Sequence, residues 1–124
     1  MSRPLLVVDA ANVIGSVPDG WWRDREGAAV KLRNSLVEVG EHGLPAVALG
    51  PLDVVLVVEG KARHVQSVTG VRVVSATTSG DDAIVEVVRT EAAGRRCVVI
   101  TADRDLRRRV TELGADVLGP RSVR

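Results

Sequence analysis

Leu5-Leu6-Val7-Val8-Asp9 is a short, wholly aliphatic run closed by an acid. A strand with one wet face alternates apolar and polar residues, whereas an unbroken run suits a central parallel strand buried on both faces. The pattern recurs at Asp53-Val54-Val55-Leu56-Val57-Val58, which runs into Glu59-Gly60, and at Cys97-Val98-Val99-Ile100, which runs into Thr101-Ala102-Asp103. Val71-Arg72-Val73-Val74 reads as a shorter edge strand and Val117-Leu118 as a last one.

Helical patterns separate these runs. A helix is expected over residues 23–39, with Ala29, Leu32, Leu36 and Val39 on its apolar stripe and Gly40 or Gly43 as its stop. A second is expected over residues 81–93, capped by Ser79, facing inward through Ala83, Ile84, Val87 and Val88, and ended by Gly94. A third begins at Asp103 or Asp105, buries Leu106, Val110 and Leu113, and closes at Gly114. Residues 10–20 read as a loop broken by Gly15, Pro18 and Asp19-Gly20. Residues 42–51 admit either a short helical turn or a core-packed loop, and residues 44–52 either a dimer surface or ordinary packing. Strands alternating with helices imply right-handed crossovers. The expectation is a three-layer α/β/α sandwich with a parallel sheet of about five strands, one domain over residues 1–124.

Composition removes several classes. The 124 residues carry a net charge of +1, so no global field draws the protein onto nucleic acid. The single cysteine, Cys97, excludes an intrachain disulfide framework and a cysteine metal cluster. Phe and Tyr are absent, so the core must be aliphatic, with Trp21 and Trp22 the only aromatics. No apolar stretch approaches the roughly 20 residues of a membrane span. Met1-Ser2-Arg3-Pro4 leads straight into the first strand run, too brief for a signal peptide. The cytoplasm is the expected location, with no membrane partner.

The acids carry the chemistry. In an open α/β sheet, ligands bind beyond the carboxyl ends of the strands, at the switch in strand order. Asp9, Glu59 and Asp103 lie at or just past such ends, and Asp81-Asp82 open a helix whose start faces the same rim. With strand order 3-2-1-4-5, Asp9 and Asp103 leave adjacent strands, about 5 Å apart at the backbone. Clustered carboxylates repel one another unless a cation sits among them, which points to a hard divalent ion and so to phosphate chemistry. Each acid also has a plainer role: Asp9 as a turn former, Asp103 and Asp105 as cap and first-turn charges, Asp81 and Asp82 as dipole partners, Glu59 as a loop charge. Other phosphate chemistries lack their motifs. There is no P-loop and no glycine-rich dinucleotide fingerprint, and Ala11 stands where an aspartyl-phosphatase needs a second Asp. His42 and His64 have no evident partner and read as surface residues.

Val7-Val8-Asp9-Ala10-Ala11-Asn12-Val13-Ile14-Gly15 resembles the opening motif of NYN domains, a branch of the PIN-like nuclease superfamily. Val57-Val58-Glu59-Gly60, Ser79-Gly80-Asp81-Asp82-Ala83-Ile84 and Thr101-Ala102-Asp103-Arg104-Asp105-Leu106 resemble the later motifs in family order, with the YacP-like bacterial branch most similar. The resemblance implies strand order 3-2-1-4-5 and Mg²⁺- or Mn²⁺-dependent cleavage of RNA. It implies Asp9, Asp82 and Asp103 as principal metal carboxylates, assisted by Asp105, Asp81 and Glu59. Asn12 would orient Asp9 or a phosphate oxygen, and Thr101 would lend a hydroxyl. Ser79 departs from a common Glu and Glu59 from a common Asp, which leaves the number of ions open. The chain is also shorter than many YacP-like proteins, so a C-terminal substrate element is expected to be missing.

An acidic centre needs basic groups around it to hold RNA. Arg104, Arg107 and Arg108 flank the last acidic motif, and Arg23 and Arg63 follow the first two strands. Arg107 to Arg109 also fit a merely solvated helix face. Arg95 and Arg96 precede the fourth strand and belong at the opposite edge. Trp21 and Trp22 suit either stacking on an unpaired base or packing. The expected activity is endoribonucleolytic phosphodiester hydrolysis. The alternative is a non-catalytic RNA- or ribosome-binding module of the same fold. A receiver-like signalling domain fits less well, since Asp9 lacks an acidic neighbour and the third strand ends without Asp.

Overall fold

The computed structural model describes residues 3–124; Met1 and Ser2, the start of the segment read as leading into the first strand, lie outside the described residues. The main sheet contains β1 (Leu5–Asp9), β4 (Asp53–Val58), β5 (Val71–Ser75), β6 (Cys97–Ile100) and β7 (Asp116–Leu118). Its order is β5-β4-β1-β6-β7 and every pairing is parallel, which is the expected 3-2-1-4-5 arrangement. The order reverses at β1, where the chain first leaves toward β4 and later returns to β6.

The pleat divides the core into two layers. Leu6, Val8, Val54, Leu56, Val58, Val98 and Ile100 face the layer that holds α1 (Ala10–Gly15) and α2 (Arg25–His42). Leu5, Val7, Val55, Val57, Cys97 and Val99 face the layer that holds α3 (Gly80–Glu91) and α4 (Arg104–Thr111). Buried on both sides, these strands are held by apolar burial of about 25 cal/mol per Å². No helix among the described residues is long and apolar enough to cross a membrane.

Several local expectations change. Residues 10–15 form a helix rather than a loop: Asp9 caps it by accepting from Asn12 N–H, and Ala10, Val13 and Ile14 turn inward. The apolar spacing is too short to stand out, and the cap supplies what the sequence lacks in length. A short 3-10 turn at Trp21–Arg23 follows, and α2 starts later than expected because Asp24 caps it through Gly27 N–H at 2.9 Å. Gly40 does not stop α2. It lies buried inside the helix, where a Cβ would meet the Gly70 carbonyl oxygen at 3.2 Å and a Val54 methyl at 3.4 Å. Gly43, at φ +84°, ends the helix. The stretch that admitted two readings is a small antiparallel hairpin, β2 (Gly43–Leu44) with β3 (Ala48–Leu49), that buries Val47 and leaves Leu49 exposed. α3 and α4 end sooner than their apolar patterns suggest, and Leu113 is exposed rather than inward.

The tight fit at Gly40 yields a test. Gly40→Val puts a branched side chain against Gly70 and Val54, and urea unfolding is expected to show a loss of about 1–3 kcal/mol, the usual cost of overpacking.

Candidate functional site

Side chains alternate across a strand, so parity decides which face receives each acid. Asp9 shares its parity with Leu5 and Val7, Glu59 with Val55 and Val57, and Thr101 with Cys97 and Val99. All three therefore leave the carboxyl ends of adjacent strands toward the α3/α4 layer. The start of α3 reaches the same place and brings Asp81.

Asp9 is buried, only 6% exposed. Its Oδ2 accepts a 2.9 Å hydrogen bond from the Thr101 hydroxyl, and its Oδ1 accepts a longer one from Asn12 N–H. Burial pushes its carboxyl up to about 6; the two hydrogen bonds pull it down, and the charges of Asp81 and Glu59 raise it again. The Thr101 hydroxyl also accepts from Asp103 N–H at 3.1 Å, so one oxygen links the first and fourth strand ends. Asp103 Oδ1 caps α4 by accepting from Leu106 N–H at 2.9 Å. Asn12 Oδ1 accepts from Ala102 N–H at 2.9 Å, and Arg107 Nε donates to the Thr101 carbonyl at 2.8 Å. The 101–103 turn is thus held from both α1 and α4.

Glu59 reaches across to accept from Gly80 N–H at the start of α3. A Cβ at Gly80 would lie 2.8 Å from Glu59 Oε2, so any larger residue there would oblige the Glu59 carboxylate to shift. Asp81 is partly buried and its carboxyl is raised, first by burial and then by Asp103 and Glu59, with Arg109 opposing. Asp82 and Asp105 turn elsewhere. Asp82 accepts from Arg109 at 2.9 Å, chiefly for which its carboxyl is lowered, and Asp105 pairs with Arg108 at 2.8 Å. The structure therefore gathers Asp9, Glu59, Asp81 and Asp103 with Asn12 and Thr101; Asp105 lies at the edge of that group, near enough for its charge to raise Asp81 while it pairs with Arg108, and Asp82 is held away by Arg109. Asp81 and Asp82 are neighbours one helical position apart, so sequence could not say which faces the centre.

Among the described residues no three acid, His or Cys side chains close into a ready coordination sphere. The donor set still suits a hard cation. It is all oxygen, one carboxylate is buried against its own charge, and Mg²⁺ characteristically keeps several waters and takes only one or two carboxylates directly.

The cations sort by pairing. At the amino ends of the strands Arg3 and Arg95 pair with Asp53, Arg72 with Glu91, and Arg96 with Asp116, so Arg95 and Arg96 lie opposite the acids as expected. On the carboxyl rim Arg23, Arg25, Lys61, Arg63, Arg104 and Arg121 make no ion pair with another described residue. Arg107 and Arg108 are engaged, the former by the Thr101 carbonyl and the latter by Asp105 and Glu112. Lys61 is not among the cations expected from sequence, although its place just after β4 is a usable signal. Trp21 packs on the α1/α2 core under the Arg25 guanidinium, 5.3 Å from the ring centre, and edge-on to Trp22. Trp22 is 51% exposed.

No family model and no curated protein matches this chain. Solved structures do. The crystal structure of the W164L mutant of Rae1 (YacP) from Bacillus subtilis superposes with a TM-score of 0.73 at 18% identity, covering 98% of this chain and 72% of that one. The crystal structure of Rae1 (YacP) itself gives 0.72 and 18%, covering 98% and 71%. The likeness establishes a YacP-like fold; the narrower NYN and PIN-like placement rests on the motifs.

The Asp9 environment has a thermodynamic consequence. A carboxyl raised in the folded state binds its proton more tightly there, so its stabilising contribution is complete below the ordinary value of 3.8 and is lost as pH rises through about 6. In chelator-treated protein, Asp9→Asn is expected to equal the parent near pH 4 and to be more stable near pH 8, by on the order of 2–3 kcal/mol. Urea unfolding at the two pH values measures the difference.

Proposed function

We propose that the protein is a metal-dependent endoribonuclease that hydrolyses RNA phosphodiester bonds at the carboxyl rim of its sheet. The observation that carries this reading is the buried Asp9 carboxylate, raised to about 6 and converging with Glu59, Asp81 and Asp103 at the switch point. Carboxylates that repel one another are held together here by strand ends and helix caps, an arrangement that a divalent ion would stabilise.

Asp9 and Asp103 would be the direct holders of Mg²⁺ or Mn²⁺, with Asp81 and Glu59 acting directly or through water. Such an ion supplies water activated near neutral pH and charge neutralisation at the phosphate. The chain's own residues do the positioning. Thr101 fixes the rotamer of Asp9 and the start of the 101–103 turn, and Asn12 ties that turn to α1. Arg109 removes Asp82 from the centre. Arg23, Lys61, Arg63 and Arg104, unpaired and just beyond the carboxyl ends of the strands, would hold strand phosphates, which would let an acidic centre tolerate a polyanion.

A non-catalytic RNA- or ribosome-binding module has one observation in its favour: no ready coordination sphere is present among the described residues. Cleavage of labelled single-stranded RNA with Mn²⁺ separates the readings. Cutting is expected in the parent, and none with EDTA or in Asp9→Asn. Thr101→Val, which removes the hydroxyl that orients Asp9, is expected to lose about 10–100-fold. Binding without cutting under every metal would favour the module.

The rim cations give a separate prediction. Lys61→Ala and Arg104→Ala are each expected to weaken RNA binding evenly across sequences. Each lowers the slope of log affinity against log salt by about 0.7 for every phosphate no longer engaged, as read by titration at several salt concentrations.

A further inference from the structure

A sizeable cavity lies away from the carboxylates. It opens over the first turns of α2, on the opposite face of the sheet, and encloses about 510 Å³. Its walls mix three kinds of surface. Trp21, Leu32 and Val123 supply an aromatic and aliphatic back. Asp19 and Asp24 supply acceptors at the mouth. Lys31, which has no ion pair among the described residues, supplies a donor. Arg124 fixes one side: its guanidinium donates to the carbonyls of Val13 and Ile14 at 3.1 Å and pairs with Asp19.

These walls discriminate among ligands. A bare phosphate would meet two carboxylates, and a wholly apolar ligand would strip water from Asp19, Asp24 and Lys31 while returning no polar contact. A nucleobase has an apolar ring plane and an edge of mixed donors and acceptors, which is the pattern the walls complement. The volume lies within the 300–1,000 Å³ typical of small-molecule sites. The cavity is also close to the acids along the fold. Asp9 caps α1, α1 is only about 9 Å long, and its far end is the pair of carbonyls that Arg124 holds.

We propose that this cavity receives one unpaired nucleobase of the RNA, so that a strand crossing the rim places a phosphate at the carboxylates and a neighbouring base behind α1. The proposal rests on the ribonuclease reading for its substrate, but binding to the cavity needs neither metal nor Asp9.

That independence makes the test separable. Trp21 lines the cavity and Trp22 does not, so in a Trp22→Phe background emission reports on the cavity wall. Titration with each nucleoside monophosphate in EDTA is expected to quench emission saturably, with one base preferred. Asp9→Asn should retain the quench while losing cleavage. Lys31→Glu should weaken it by about tenfold or more, and Ser35→Leu, which fills the cavity, should abolish it. An absent quench at millimolar nucleotide, an undiminished quench in both cavity variants, or equal competition by inorganic phosphate would each overturn the proposal. No cleavage by the parent protein under any metal, with an intact quench, would instead count against the ribonuclease reading alone.

Discussion

The pleat of three adjacent parallel strands governs the site. Because alternate residues point to opposite faces, Asp9, Glu59 and Thr101 emerge toward the same helical layer once Val7, Val57 and Val99 are buried there. A slip of one residue in β1 would turn Asp9 toward α2 and exchange Leu5 and Val7 with Leu6 and Val8 between the two packed layers, so the shape-matched packing of the sheet holds the carboxylate in place. Asp9 gains burial from its strand, and the resulting cost to its charge is what makes the location chemically distinctive.

Around that fixed point the supporting groups serve two structures at once. Asp9 and Asp103 each cap a helix while belonging to the acidic group, and Thr101 joins them through one hydroxyl. Glu59 secures the start of α3, which delivers Asp81. The plainer roles assigned to these acids and the functional ones are therefore not rivals. Capping is how the chain brings acids to the rim and holds them there.

Much of the fold is legible in the sequence, because fully apolar runs at 54–58 and 97–100 leave little choice but buried parallel strands. The location of the acids at strand ends follows from that, whereas the strand order is what the motif resemblance implies and the pairing bears out. What stays hidden depends on tertiary packing. Nothing local tells that Gly40 packs beneath Gly70 instead of ending a helix, or that residues 43–49 pair with themselves. α1 escapes notice because six residues carry too short a period, although Asp9 before Ala10, Val13 and Ile14 is a readable cap. At the site, residue types are visible but directions are not: Arg109 draws Asp82 outward, and Glu112 with Asp105 occupies Arg108.

The sorting of cations by partner gives the molecule an uneven electrical texture that its net charge of +1 conceals. Unpaired cations and gathered acids share one end, while at the other Arg3, Arg95, Arg72 and Arg96 are matched by Asp53, Glu91 and Asp116. Beyond a Debye length of about 8 Å in physiological salt, these opposite charges are largely screened. A polyanion would therefore feel little pull from afar and strong local patterning on arrival. For such a surface, ionic strength should act on how long an encounter lasts more than on how often it begins.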